Sequence, residues 1–188
     1  MNAIDLIKAR RTIRKFRPDP IPDEVINQIL EAAVWAPSHR NSQPWEFAVI
    51  GPQTRNRLNQ LYRKTMEENV LSNPDLPPPA RQGILSLMED FGGAPYMVAV
   101  LSRPPQDHLE ALENPITAGV AVQNMSLAAW DRGVGSVWLS IGANPQAREI
   151  LQVKEGYQVV AVLALGYPEM TPPAPTREPF SNRITNLP

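Results

Sequence analysis

The 188-residue chain contains no cysteine. That absence excludes disulfides, a thiolate nucleophile, Cys-ligated zinc and Cys-bound iron–sulfur clusters, and it points to a reducing, cytoplasmic location. Histidine is nearly as scarce. His39 and His108 stand at no spacing that suits a metal, so no metal centre is expected. No Gly-x-Ser-x-Gly elbow and no Walker-type loop occurs, which leaves serine hydrolysis and phosphoryl transfer without support. The pair Gly133 and Gly135 falls short of a dinucleotide fingerprint, because the third glycine's place is taken by Trp138 and the glycines precede a strand. No stretch approaches the ~20 apolar residues of a membrane span. The first ten residues carry Asp5 and Lys8 without an apolar run, unlike a secretory leader. With a formal net charge of -1 the chain offers no broad basic face for nucleic acid. Any demanding chemistry therefore falls to a bound cofactor.

Proline, by contrast, is abundant at 21 residues, so the chain is punctuated by breaks and extended segments. Positive charge is concentrated: Arg10, Arg11, Arg14, Lys15 and Arg17 fall within eight positions. They follow a short amphipathic run, Ile4, Leu6 and Ile7, and precede Pro18, Pro20 and Pro22. Two readings fit. Cations gather favourably at the C-terminal end of a helix, and two or three arginines can instead hold a small anion such as a single phosphate.

Apolar spacing predicts a helix from Asp23, which is placed to cap it, through Val34. A buried strand follows at 45–50, with Trp45 and Phe47 in the core. Gly51 and Pro52 open a second helix, whose face carries Leu58, Leu61, Tyr62 and Thr65. The proline-rich stretch 71–80 reads as irregular, and a short helix near 84–88 precedes a strand at 96–101. The run 116–130 is apolar nearly all round, as in a helix buried in a core or a subunit interface. Strands at 134–139 and 159–165 flank a short helix near 145–151. Helices alternating with strands imply a layered α+β or α/β fold. The proline-rich tail, 168–188, has no periodic run and extends along a surface.

Three segments, RRTIRKF at 10–16, APSHRNSQPWEF at 36–47 and TREPF at 176–180, resemble in order and spacing the nitroreductase family. The compact length and the His in the second motif look most like its small single-domain branch. The resemblance implies an α+β three-layer sandwich, a central mixed sheet wrapped by helices. It implies one domain over 1–188, with 168–188 embracing the partner in an intertwined homodimer. It also implies FMN at the subunit interface and a ping-pong reaction, in which NAD(P)H delivers hydride through the flavin to a nitroaromatic, quinone or similar electron-poor acceptor. A dehydrogenase or desaturase of a small metabolite, or a non-catalytic flavin-binding regulator, remains the alternative.

The same resemblance assigns roles. Arg10 and Arg177 would clamp the FMN phosphate, and Thr12 would bond phosphate or ribityl oxygens. Arg14 would reach the pyrimidine edge of the ring, where a guanidinium stabilises the charge gained on reduction. Arg11 would add backbone or ribityl contacts. Pro37, Ser38, His39, Asn41 and Gln43 would come from the partner subunit, although Ser and Asn are also ordinary turn residues and His39 could be a surface or capping histidine. Backbone groups near Trp138, Leu139 and Ser140 would face the ring. The segment between Lys64 and Ala94 would form a lid.

Overall fold

The computed structural model describes residues 2–187, so both ends of the expected 1–188 unit, and the last residue of the 168–188 tail, lie outside the described residues. The short helix α1 (Ala3–Ala9) is capped by Asn2, whose side chain accepts from the Asp5 amide, and it buries nothing. Helix α2 (Asp23–Ala33) starts one residue earlier than a cap at Asp23 requires. Pro22 is the N-cap, its carbonyl accepting from Val25 and Ile26, so Asp23 acts through its charge at the helix N-terminus.

Strand β1 (Trp45–Val49), helices α3 (Pro52–Asn69) and α4 (Pro78–Met88), and strand β2 (Tyr96–Ser102) follow. Helix α4 begins inside the stretch expected to be irregular. Pro78 and Pro79 occupy its first turn, where no backbone N–H has an intrahelical partner to lose. Helix α5 runs His108–Asp131, eight residues ahead of the predicted start. Asp107 caps it by accepting from the Glu110 amide at 2.8 Å, and Pro115 is accommodated inside. Strand β3 (Gly135–Leu139), helix α6 (Pro145–Ile150) and strand β4 (Gln158–Gly166) complete the core elements.

The sheet has the order β1-β2-β4-β3, and every neighbouring pair is antiparallel. This corrects the expectation of a mixed sheet. Strands β2 and β3 do run in the same direction across the α5 crossover, as the helix-strand alternation suggests, but β4 inserts between them in the opposite sense. Among the described residues the one parallel pairing is an isolated bridge between Thr12 and Ser136.

The layers follow from strand alternation. Met97, Ala99, Val137, Leu139 and Val162 face Leu58, Leu61, Leu87 and Phe91 of the α3–α4 side, together with Ile13 and Phe16. Val98, Val100, Leu163 and Leu165 face Ile26 and Ile29 of α2 and Ala118, Ala121, Val122 and Met125 of α5. Trp45 belongs to the second cluster and Phe47 packs against it, so both serve the core as predicted. The α+β three-layer sandwich is thus the observed fold. Helix α5 is not buried all round: Leu109, Leu112 and Ile116 stand exposed on its outer face.

Gly135 makes this arrangement possible near the start of the chain. A Cβ there would overlap Ile13 Cγ1, lie 2.9 Å from Ile13 Cβ and 3.1 Å from Pro168 Cγ. The Gly135→Ala protein should lose about 1–3 kcal/mol to overpacking, and thermal unfolding should show a Tm lower by about 2–4 °C per kcal/mol. An unchanged Tm would mean that Ile13 can retreat freely.

Candidate functional site

The arginine-rich segment leaves α1 at Arg10 and runs extended along the edge of β3. The Ile13 amide donates to the Ser136 carbonyl at 2.9 Å, and the Phe16 amide to the Gly92 carbonyl at 2.8 Å. Ile13 and Phe16 are buried. Alternation along an extended backbone then turns Thr12 and Arg14 away from the core.

Thr12 and Arg14 line a cavity of about 640 Å³ whose floor is the end of β3 and the turn after it, Val137 to Ile141. Tyr62, Thr65 and Met66 of α3 and Ile84 and Leu87 of α4 form its wall, with Asn144 at the α6 cap. Thr65, Met66, Ile84 and Leu87 fall within the 64–94 segment expected as a lid, but none of these wall residues has a site role of its own at the sequence level, and Tyr62 and Asn144 lie outside that segment. The one available signal was Tyr62 and Thr65 on an otherwise apolar helix face. Asn144 is held twice: its Oδ1 accepts from the Gln146 amide at 2.9 Å and its Nδ2 donates to Thr65 Oγ1 at 3.4 Å. Burial pushes the pKa of the Tyr62 hydroxyl up, with the Arg14 guanidinium pulling partly against it, so the wall presents a neutral phenol at pH 7.

A second cavity of about 270 Å³ adjoins the first, sharing Thr12 and Arg14 with it. Its other walls are Arg10, Arg11, Pro172, Pro173, Pro175 and Arg177. The tail is brought there by a bridge between Phe16 and Pro168 and by the Glu169 amide donating to the Lys15 carbonyl. Four arginines therefore converge on one small space. Arg11 is partly committed, since its Nη1 donates to the carbonyls of Lys8, Ala9 and Arg10 and closes the end of α1. The Nε atoms of Arg10 and Arg11 are buried without a partner. Buried donors of this kind are costly unless an anion satisfies them, so the residues present fit a phosphate group.

The second motif lies elsewhere in the same chain. Pro37, Ser38 and His39 line a separate, shallow cavity with Glu113, Ile116, Thr117 and Val120 of α5, and it shares no residue with the other two. His39 Nδ1 lies 3.5 Å from Glu113 Oε2. Arg40, Asn41 and Gln43 all have positive φ, and the Gln43 amide donates to Ser38 Oγ at 3.2 Å. One chain thus unites Arg10, Arg11, Thr12, Arg14, Trp138, Leu139, Ser140 and Arg177, and leaves Pro37, Ser38, His39, Asn41 and Gln43 apart.

The sequence profile described as the nitroreductase family matches residues 7–167. The chain belongs to the nitroreductase family. Among its relatives, YfhC of Bacillus subtilis (strain 168), which carries a provisional name as an NAD(P)H nitroreductase, is 28% identical over 187 residues, covering 97% of this chain and 93% of that one. The 5,6-dimethylbenzimidazole synthase of Rhodospirillum rubrum is 29% identical over 184 residues, covering 92% and 85%. The crystal structure of a nitroreductase with bound FMN from Bacteroides fragilis superposes with a TM-score of 0.72 at 26% identity, covering 100% of both chains. Among the described residues no helix of this nitroreductase family member is long and apolar enough to cross a membrane, and no cluster of metal-ligating side chains occurs.

Anion binding at the arginine cavity is separable from any activity. Inorganic phosphate should raise the Tm of the cofactor-free protein, by the equivalent of about 2.7 kcal/mol at a hundred times its Kd. The rise should be lost in Arg10→Ala. Equal stabilisation of both proteins would place the anion elsewhere.

Proposed function

We propose that this protein is an FMN-dependent NAD(P)H oxidoreductase that passes hydride to nitroaromatic, quinone or similar electron-poor acceptors. The observation that carries the reading is the junction of the two cavities. A space ringed by arginines with orphaned Nε donors opens, across Thr12 and Arg14, into a larger and mostly apolar space floored by β3. FMN has that division: a dianionic phosphate on a polyol arm, joined to a flat aromatic ring.

FMN, when bound, accepts a hydride from the nicotinamide and delivers it to the acceptor, and the chain supplies the surroundings of that exchange. Arg10 and Arg177 hold the phosphate through charge-assisted bonds, and Thr12 bonds the arm beside it. Arg14, at the junction, directs a fixed positive charge toward the pyrimidine edge of the ring and favours its reduced, anionic form. Backbone groups of Trp138, Leu139 and Ser140, which line the larger cavity, would face the ring. Ile84, Leu87 and Met66 exclude water from the outer side, and Tyr62 and Thr65 leave two hydroxyl-bearing side chains on that wall. Donor and acceptor sharing that side would give ping-pong kinetics.

The working unit is a homodimer over the 1–188 domain. The motif with Pro37, Ser38, His39, Asn41 and Gln43 is displaced from the cavity of its own chain, and a second copy would supply it. Exposed apolar residues support this assembly: Ile4 and Ile7 of α1, Trp35, Leu112 and Ile116 of α5, and Phe180 and Ile184 of the tail. A flavin-dependent synthase or desaturase of a small metabolite is the second reading, favoured by the likeness to 5,6-dimethylbenzimidazole synthase. Rapid flavin reduction by NADH or NADPH, followed by turnover with a quinone, separates the two.

The purified protein should be yellow and release FMN on acid treatment; recovery of FAD alone would sink the reading. In a folded Arg177→Ala protein FMN should bind more weakly by about 2–5 kcal/mol, with lysine restoring only part, because a monodentate ammonium replaces a planar fork. Removing residues 168–188 should lower flavin content and dimer stability together in sedimentation experiments. A full-length monomer holding stoichiometric FMN would contradict the shared site.

A further inference from the structure

Arg14 makes no side-chain hydrogen bond or ion pair among the described residues, and it is exposed, yet its course along the cavity wall is defined. What defines it is a missing atom on α4. A Cβ built on Gly83 would stand 2.6 Å from Arg14 Cδ, 3.2 Å from Nε and 3.8 Å from Cζ. Gly83 lies in the interior of a helix, where glycine is the poorest ordinary choice after proline. Its φ does not lie in the left-handed region, so no backbone requirement explains it.

We propose that Gly83 is a positioning residue for Arg14: its bare Cα opens a channel across α4 through which the guanidinium reaches the junction of the two cavities. The inference rests on the flavin reading of that junction. The next residue of α4, Ile84, belongs to the cavity wall, so the helix that walls the ring site also sets the path of the charge directed at the ring.

Gly92 provides an internal contrast. A Cβ there would overlap the Arg14 carbonyl oxygen and lie 2.9 Å from the Arg14 carbonyl carbon, and its φ is +70°. Its own carbonyl accepts from the Phe16 amide. An alanine at Gly92 collides with backbone, which cannot step aside, and damages the fold. An alanine at Gly83 collides with the middle of a flexible side chain, which can. The chain then folds, but Arg14 is turned out of its channel.

The test is a double-mutant cycle of Gly83→Ala and Arg14→Ala, read by FMN titration of the apo-protein, by the flavin midpoint potential and by the Tm of the apo-protein. Gly83→Ala alone should weaken FMN at least about tenfold and lower the potential, while the apo Tm stays level or rises as α4 gains helix propensity. In the Arg14→Ala background the same substitution should change FMN affinity by less than about twofold. Unchanged affinity and potential in Gly83→Ala, or equal losses in both backgrounds, would overturn the proposal. Should Gly83→Ala fail to fold, recovery of folding in the double variant supports the contact, and failure of both overturns it. A wild type that binds no FMN overturns the flavin reading and this inference with it. A wild type that binds FMN, beside a Gly83→Ala protein that binds it equally, overturns this inference alone.

Discussion

The site depends on a single strap, the pairing of the arginine-rich segment with the edge of β3. Ile13 donates to Ser136 and inserts its side chain against Gly135, and this fixes which side chains of the segment face in and which face out. Because the period of an extended chain is two, a slip of one residue would bury Thr12 and Arg14 and expose Ile13. The burial of Ile13 opposes such a slip, and Phe16, which lies past a bend at Lys15 and outside the alternation, anchors the far end by its own burial and its bond to the Gly92 carbonyl. Burying one such side chain is worth about 1.5–3 kcal/mol. Register is therefore held by apolar packing, and the polar constellation on the outer side inherits its geometry.

Much of the fold could be read from the chain. Helical spacing puts Leu58, Leu61, Tyr62 and Thr65 on one face of α3, and they share it, because apolar periodicity reports burial directly. Spacing does not say that Leu58 and Leu61 meet the core, while Tyr62, which shares that core, and Thr65 also line a cavity, since that depends on where α4 and α6 stop. Proline misled at the start of α4, because its cost belongs to helix interiors and in a first turn it has no bond to break; α5 instead begins at the Asp107 cap, eight residues before its apolar run, and carries Pro115 inside. The insertion of β4 between β2 and β3 is a long-range pairing that no local pattern carries. The three motifs named the arginines, but the wall that Ile84, Leu87 and Asn144 provide has no motif, only position.

Charge within the site also has a spatial logic. A chain of net charge -1 has brought four of its arginines to one cavity of about 270 Å³. Like charges at such distances repel, and the desolvated Nε atoms of Arg10 and Arg11 add a further cost. Structural needs account for part of this, since Arg11 closes the end of α1. Arg10, Arg14 and Arg177 have no comparable partner among the described residues. An arrangement that costs free energy when empty and is relieved by an anion is what preorganised binding requires.

The loop carrying Pro37, Ser38, His39, Asn41 and Gln43 holds strained backbone. Three of the four residues from Arg40 to Gln43 adopt left-handed backbone, and only Asn41 is of a type that does so readily. At roughly 1 kcal/mol or more for each of the other two, the conformation needs support. The Ser38 hydroxyl accepting from Gln43 and the approach of His39 to Glu113 provide some of it. Nothing in the cavities of the same chain makes use of the result, because Asn41 and Gln43 are exposed and face neither. Strain retained away from the chain's own site, beside the unpartnered apolar face of α5, is accounted for if the loop is shaped for the cavity of a second copy. The same contact would cover Leu112 and Ile116, so apolar burial at such an interface would offset the cost of the loop's strained backbone.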